Sequence, residues 1–174
     1  MKFFAALALT LAALPAAADT AHHGQHSPYA GLEAREIKAL SPEEIADLAA
    51  GRGMGLALAA ELNGYPGPRH VLDLAQELRL TAEQQKKTNA LFEAMRTETS
   101  ALGADLIEAE RVLDRLFAEK RATPETVAAA TERTGAIEAK LRAAHLRYHL
   151  EMVDVLTADQ VMAYNHLRGY ATHH

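Results

Sequence analysis

Two histidines near the C-terminal end of the chain have the spacing of a metal-binding pair. His145 and His149 are four residues apart, so on a helix their imidazoles lie on one face, one turn from each other, where they can share an ion. Met152 follows three residues later and adds a soft thioether sulfur of the kind that copper binds. His70 is distant in sequence, and we expect a folded-back helix to bring it to this pair. The pattern predicts a site for a divalent transition metal such as Zn, Cu, Ni or Co.

The same residues also suit an ordinary helix surface. The chain has nine histidines, so a spacing of four arises by chance, and Arg147 and Glu151 flank the pair as on a solvated face. In this alternative His145 is a half-buried packing residue at the border of an apolar stripe. The other histidines are weaker candidates, either as a loose metal-binding arm or as a terminal pair: His22, His23, His26, His173 and His174.

Composition argues against several functional classes. The chain has no cysteine, which excludes thiolate metal sites, cysteine nucleophiles and disulfides. Its formal net charge is −5, and nucleic-acid binding calls for a basic surface. The segment "HLRYH" has the histidine spacing of a zinc protease, but Leu146 occupies the position of the glutamate that would act as the base. We therefore expect neither an enzyme nor a nucleic-acid partner.

Residues 1–18 have the pattern of a secretory signal peptide. An apolar run from Phe3 to Leu14 is too short to span a bilayer, and Ala16 and Ala18 have the small-residue spacing of a cleavage site. No later segment has the length and apolar character of a membrane span. We predict export to the periplasm, with residues 19–40 forming a flexible, histidine-containing arm.

Capping and turn signals divide the next part of the chain. Residues 41–65 are predicted to hold short N-terminal helices, the first of them capped by Ser41 and ended by "GRGMG". In this region Met54 and Glu61 are candidates to face a ligand, although a hinge or a packing contact is the simpler explanation of the segment. A further helix is predicted from about Arg69 to Arg79.

The pattern LTxxQ occurs twice, as "LTAEQ" and as "LTADQ". In each copy the threonine can cap a helix N-terminus, and the glutamine three residues later can return a hydrogen bond to the cap. The leucine before them can make an apolar staple. Each copy therefore predicts a corner at which a helix begins, formed by Leu80, Thr81 and Gln84 in the first copy and by Leu156, Thr157 and Gln160 in the second.

Two long apolar stripes lie between these corners. Positions spaced by threes and fours run from Leu91 to Leu116 and from Val127 to Val155, and Thr123 separates them as a cap. The chain is therefore predicted to be all-α, with a long antiparallel hairpin in residues 66–174 and short hooked helices flanking it. Such a hairpin has little interior. We expect a second copy to cover it as a homodimer; the alternative is that residues 31–79 fold back on it.

Paired LTxxQ corners around a helical hairpin, behind a signal peptide, resemble the Spy/CpxP family of periplasmic proteins, which includes heavy-metal resistance proteins of the CnrX and ZraP type. The resemblance covers about residues 66–170. It implies a dimeric hooked hairpin with one of three roles. These are binding a transition metal and reporting it to a membrane sensor or anti-sigma protein, holding unfolded envelope proteins as an ATP-independent chaperone, and inhibiting an envelope-stress sensor.

The metal-sensing relatives carry two histidines on the short helix before the first corner and His-x-x-x-Met before the second. Met152 matches that methionine, but Tyr148 stands at the histidine position, and only one histidine lies near the pair on the short helix. The resemblance thus implies a metal site of altered composition. We favour a metal-binding accessory role in heavy-metal resistance or sensing, with the candidate ligands His70, His145, His149 and Met152.

Overall fold

Six α-helices make up most of the folded chain. A computed structural model describes residues 27–170, which hold these helices, one 3-10 turn at Leu32–Ala34 and no β-strand. The helices are α1 (Pro42–Ala49), α2 (Leu58–Glu61), α3 (Pro68–Asp73), α4 (Ala82–Ala118), α5 (Pro124–Val153) and α6 (Ala158–Leu167). Across this range, no helix combines the length and the apolar character needed to cross a membrane. The predicted all-α class is confirmed.

Two predictions fall outside the described residues. One is the signal peptide of residues 1–18. The other concerns five of the nine histidines, namely His22, His23, His26, His173 and His174. Residues 27–30 form a turn closed by the Ala30 N–H and the Ser27 carbonyl at 2.9 Å, and a separate compact unit begins at Gly31.

Reciprocal capping boxes begin four of the helices. Ser41, Thr81 and Thr157 each accept a hydrogen bond from the third backbone N–H of their helix, and the side chain of that third residue bonds back to the cap. Thr123 makes the same box with Thr126, a partner that the sequence pattern did not indicate. These boxes satisfy N–H groups that a helix start leaves without intrahelical partners. They fix where α1, α4, α5 and α6 begin.

The long helices α4 and α5 pack along each other in opposite directions. They contain 37 and 30 residues. At 1.5 Å per residue, α4 is about 55 Å long. Gln84 at the start of α4 bonds the carbonyl oxygen of Val155 after α5, whereas Glu98 further along α4 pairs with Arg147 further back on α5. The predicted hairpin is confirmed.

The segment before α4 folds back onto this hairpin. Helices α1 and α3 lie against α4, and α2 and α3 contact α5. Ile37 is fully buried in the core, so residues 31–40, the second half of the predicted flexible arm, pack as part of the folded unit. Residues 31–79 thus cover the hairpin, as in the alternative above, while the homodimer stays a prediction.

Helix α3 is shorter than the sequence pattern predicts. It ends at Asp73, and turns replace its expected second half, with Arg79 in the left-handed region at φ 51°. The N–H of Leu80 bonds the carbonyl of Ala75 at 3.0 Å. The apolar residues of this stretch therefore lie in a chain reversal that leads into the first corner.

Two apolar clusters hold the unit together. In the middle cluster α1 crosses α4 so closely that a Cβ on Gly103 would lie 2.1 Å from the carbonyl oxygen of Leu48. The middle cluster consists of Ile37, Leu48, Leu106, Ile107 and Leu141. The corner cluster, at the open end of the hairpin, consists of Val71, Leu78, Met152 and Tyr164. The stretches of α4 and α5 between the two clusters line the cleft described below.

A reciprocal pair of glutamines joins the two corners, and we call it the glutamine clasp. The Gln84 amide donates to Gln160 Oε1 at 2.7 Å and to the Val155 carbonyl at 3.0 Å. The Gln160 amide donates to Gln84 Oε1 at 3.1 Å and to the Leu78 carbonyl at 3.2 Å. Each glutamine oxygen also accepts the N–H of its own capping threonine. One side chain therefore stabilises both its own helix start and the opposite corner.

Replacing either glutamine of the clasp with leucine is expected to lower the free energy of unfolding. Each single variant leaves partly buried donors and acceptors without partners, at a cost of about 1–3 kcal/mol. The double variant should lose less than the sum of the two, because each single change already removes the same two hydrogen bonds between the glutamines. Urea unfolding followed by circular dichroism measures all three. Gln85→Leu, on the exposed face of α4, is the matched control. Losses equal to the control, or strictly additive losses, would contradict a coupled clasp.

Candidate functional site

A cleft of about 610 Å³ opens beside the hairpin, and we call it the histidine cleft. The loop before α2, the start of α3, one face of α4 and one face of α5 wall it, and the end of the α6 region closes one side. Three of the four predicted metal ligands line it, namely His70, His145 and His149. The other lining side chains with donor atoms or charge are Met54, Glu61, Met95, Tyr170 and the arginines Arg52, Arg69, Arg96 and Arg168.

His145 is buried at the wall of this cleft with one nitrogen unsatisfied. Only 2% of the residue is exposed, and its Nε2 has no hydrogen-bond partner. Burial lowers the pKa of the imidazole, and the neighbouring His149 lowers it further. The ring is therefore neutral at pH 7. A buried polar atom without a partner costs about 1–3 kcal/mol, so this nitrogen indicates where a ligand would stabilise the fold.

His149, one turn further along α5, is held in one orientation by the backbone. Its Nδ1 lies 2.7 Å from the carbonyl oxygen of Tyr65. Because a carbonyl only accepts hydrogen bonds, Nδ1 carries the hydrogen, and in the neutral ring the lone pair is on Nε2. Histidines that bind metals commonly donate their second ring N–H to a carbonyl or carboxylate in this way. The contact thus prepares the Nε2 of His149 to act as a ligand.

Gly67 permits the close approach of the backbone to the ring of His149. Its φ of −86° is open to any residue, so backbone conformation does not require glycine here. A Cβ at this position, however, would lie 2.8 Å from Cε1 and 2.9 Å from Nε2 of the imidazole. Nothing in the local sequence indicates this contact, because its partner is on a helix far along the chain.

Glu61 is a buried carboxylate that joins the elements around His149. Only 6% of the residue is exposed. Its Oε1 accepts hydrogen bonds from the hydroxyls of Tyr164 and, at 3.0 Å, Tyr170, and lies 3.6 Å from Nε of Arg168. Its Oε2 accepts the N–H of Gly67 at 3.3 Å. Burial, and then the bond to Glu61, raise the pKa of the Tyr164 hydroxyl, which therefore stays a donor. The carboxylate ties α2 to α6 and to the start of α3.

The methionine that lines the cleft is not the one that the spacing suggested. Met152 is fully buried in the corner cluster, where α3 and α6 cover it. Met95 on α4 and Met54 in the loop before α2 line the cleft instead. The three-residue spacing places Met152 on the same side of α5 as His149. The packing of the neighbouring helices, however, decides which sulfur faces the cleft.

His70 reaches the cleft from α3 and is only partly buried. Its Nδ1 lies 3.8 Å from the carboxylate of Asp73, which Arg69 also binds at 3.0 Å. The structure therefore brings His70 into one cleft with the sequence-distant pair His145 and His149. In the part of the chain that is described, no three His, Asp or Glu side chains are grouped closely enough to surround one ion. A complete coordination shell needs a further donor or a rotation of His70.

The hairpin lies in a part of the chain that matches a known protein family. A family described as heavy-metal resistance matches residues 48–163, about two thirds of the chain. The match contains the three histidines of the cleft and the two methionines that line it. Neither the curated proteins nor the solved structures contain a significant match to the chain.

Gly67→Ala is expected to disturb the site and lower the free energy of unfolding. The added methyl group must displace either the ring of His149 or the backbone, and overpacking of this kind costs about 1–3 kcal/mol. Gly53→Ala is the matched control, since Gly53 also lines the cleft but a Cβ there meets nothing within 4 Å. Thermal unfolding of both variants measures the difference. Equal stability of the two variants would show that the ring does not lie against Gly67.

The metal-free protein is expected to lose stability below about pH 6.5 because of His145. Its pKa is lowered from the model-peptide value of 6.5 in the folded state, so only the unfolded chain takes up this proton as the pH falls. The loss of stability caused by His145 is absent above that pH and grows by at most about 1.4 kcal/mol per pH unit below it. The measurement compares the free energy of unfolding at pH 7.5 and 5.5, with chelator present, for the wild type and His145→Gln.

The variant should show a smaller difference between the two pH values than the wild type. His166→Gln, which changes an exposed histidine on α6, should keep the wild-type difference. An unchanged difference in His145→Gln would mean that the ring is solvated in the folded protein.

Proposed function

This chain belongs to the heavy-metal resistance family of Spy/CpxP-like helical proteins, and from this premise we propose that it binds a transition-metal ion in the histidine cleft. One observation carries the proposal. The Nε2 of His145 is buried without a partner, and one turn away His149 is oriented by the carbonyl of Tyr65 so that its own Nε2 keeps a lone pair. Two imidazoles on one helix face are a common element of protein metal sites.

The protonation state of His145 supports binding at neutral pH. A charged imidazolium must lose one of its two ring protons before it binds an ion, so metal competes with protons for the site. Since burial lowers the pKa of His145, the ring is already neutral at pH 7 and does not have to give up a charge before binding. His70 is the third nitrogen donor of the cleft, and with it an ion would connect α3 to α5. The imidazole pair would supply two nitrogen ligands, and a rotation of His70 or a further donor would have to complete the shell, because the described residues hold no group of three such side chains.

The carboxylate of the cleft supports a binding role over an enzymatic one. Glu61 accepts hydrogen bonds from two hydroxyls and a backbone N–H, and Arg168 lies against it. A carboxylate engaged in this way is not free to activate a water molecule as a general base. We assign the chain a role as an accessory protein of metal resistance that captures or reports an ion.

The leader pattern of residues 1–18 supports a periplasmic location for this role. The partners suggested by the resemblance are a second copy of the chain and a membrane sensor or anti-sigma protein that reads the bound state. A chaperone that holds unfolded envelope proteins and an inhibitor of a stress sensor are the alternatives, and neither requires a metal.

Titration of the mature protein with Zn, Cu, Ni and Co by calorimetry tests the proposal. At least one of these ions is expected to bind at one per chain. A His145→Ala/His149→Ala double variant should bind it tenfold or more weakly, on the order of the loss seen when groups around a metal are removed. His166→Ala, in which an exposed histidine outside the cleft is replaced, should bind as the wild type does.

Two results would contradict the proposal. Absence of binding for every ion would reject it, and undiminished binding by the double variant would move the site away from the cleft. Suppression of the aggregation of a model unfolded protein, equal with and without metal in a protein that binds no ion, would support the chaperone alternative instead.

A further inference from the structure

We propose that the histidine cleft prefers copper(I), a soft monovalent cation, over divalent zinc, nickel and cobalt, with Met95 as the specificity-determining residue. The inference rests on the proposed function, because it names the ion that the imidazole pair would bind. It comes from the donor atoms that the fold gathers in the cleft, which differ from those that the sequence spacing suggested.

Met95 is a buried methionine outside the two apolar clusters. Only 8% of the residue is exposed, yet it belongs to neither the middle cluster nor the corner cluster, and it lines the cleft together with His145 and His149. Met152, by contrast, packs within the corner cluster. A thioether is a soft donor that favours copper(I), whereas imidazole suits zinc, nickel and copper. The sulfur of Met95 therefore biases the donor set.

A second thioether is presented by a constrained loop. Met54 lines the cleft and has a φ of 46°, in a region that residues other than glycine rarely adopt. The loop is fastened to α4 where the buried Thr99 hydroxyl donates to the Gly51 carbonyl at 3.1 Å. At Gly51 itself, a Cβ would lie 2.5 Å from that hydroxyl. Strain of this kind concentrates at ligand sites, where surrounding contacts maintain it.

The charge of the donor set also favours a monovalent ion. Of the described residues that line the cleft, Glu61 is the one carboxylate, and its oxygens already accept from Tyr164, Tyr170 and the Gly67 N–H. The available donors are therefore imidazole nitrogens and thioether sulfurs, which bring no negative charge to an ion. A buried charge is costly unless it is paired, and neutral ligands leave both charges of a divalent ion uncompensated. A copper(I) ion has only one charge to accommodate.

The test measures the affinity of the mature protein for copper(I) under reducing, oxygen-free conditions by competition with bicinchoninate, with silver(I) as a redox-inert check. Zinc, nickel and cobalt are titrated separately. The wild type should bind copper(I) and silver(I) more tightly than the three divalent ions. Met95→Leu should weaken copper(I) binding by about tenfold or more and leave zinc binding nearly unchanged.

Two matched controls replace methionines outside the cleft. Met162→Leu changes a residue of α6 that is 56% exposed, and Met152→Leu changes the buried methionine of the corner cluster. Both folded variants should keep the copper(I) affinity of the wild type. Circular dichroism reports whether each variant is folded, and Met54→Leu provides a second change within the cleft.

X-ray absorption of the copper(I)-loaded wild type gives a readout that needs no variant. Because the chain has no cysteine, any sulfur bound to copper must be a methionine thioether. A copper–sulfur signal is expected, and its absence would overturn the inference, as would zinc binding tighter than copper(I) or an unchanged copper(I) affinity in folded Met95→Leu. If instead no ion of either kind binds, or the double histidine variant binds as the wild type does, the proposed function itself fails.

Discussion

The glutamine clasp is the constraint on which the rest of this structure depends. An antiparallel hairpin places the start of α4 and the end of α5 at the same end of the molecule, but this alone does not fix how the segments that flank them meet. Gln84 and Gln160 solve this by using every hydrogen-bonding group of their amides. Each oxygen completes a helix cap, and each amide reaches the opposite corner. The clasp is partly buried, where loss of one partner leaves the other unsatisfied, so the two corners are fixed together.

The position of the histidine cleft follows from this constraint. With the corners joined, α3 and α6 lie over the end of α5, and the corner cluster forms around Met152 and Tyr164. The hydroxyl of Tyr164 then meets Glu61, and Glu61 holds the N–H of Gly67 beside the ring of His149. Further along the hairpin, the middle cluster forms the packed apolar core. Between the two clusters the long helices present imidazole and thioether groups to a cleft in place of a packed apolar core.

Some polar groups of the cleft have hydrogen-bond partners in the protein, and one buried nitrogen has none. Glu61 and the Nδ1 of His149 have partners in the protein, and they orient neighbouring elements. The Nε2 of His145 has none. The folded chain tolerates this cost of about 1–3 kcal/mol. If the proposed ion binds at this point, binding would recover that free energy.

Much of the fold was encoded locally and could be predicted from the sequence. A capping box joins residues three apart and a helical stripe repeats every three or four, so Ser41, Thr81, Thr123 and Thr157 marked helix starts, and the pairing of His145 with His149 followed from their spacing alone. The contacts between distant segments could not be read this way. Periodicity gives the face of a helix but not what covers it, so it left open that Met152 is covered by α6 while Met95 lines the cleft, and that residues 31–40 pack on the hairpin. The tertiary structure likewise decided two further contacts, that of Gln84 with Gln160 and that of Gly67 with His149. Each joins residues more than seventy positions apart. The spacing of residues along the chain carries no information on which distant surfaces meet.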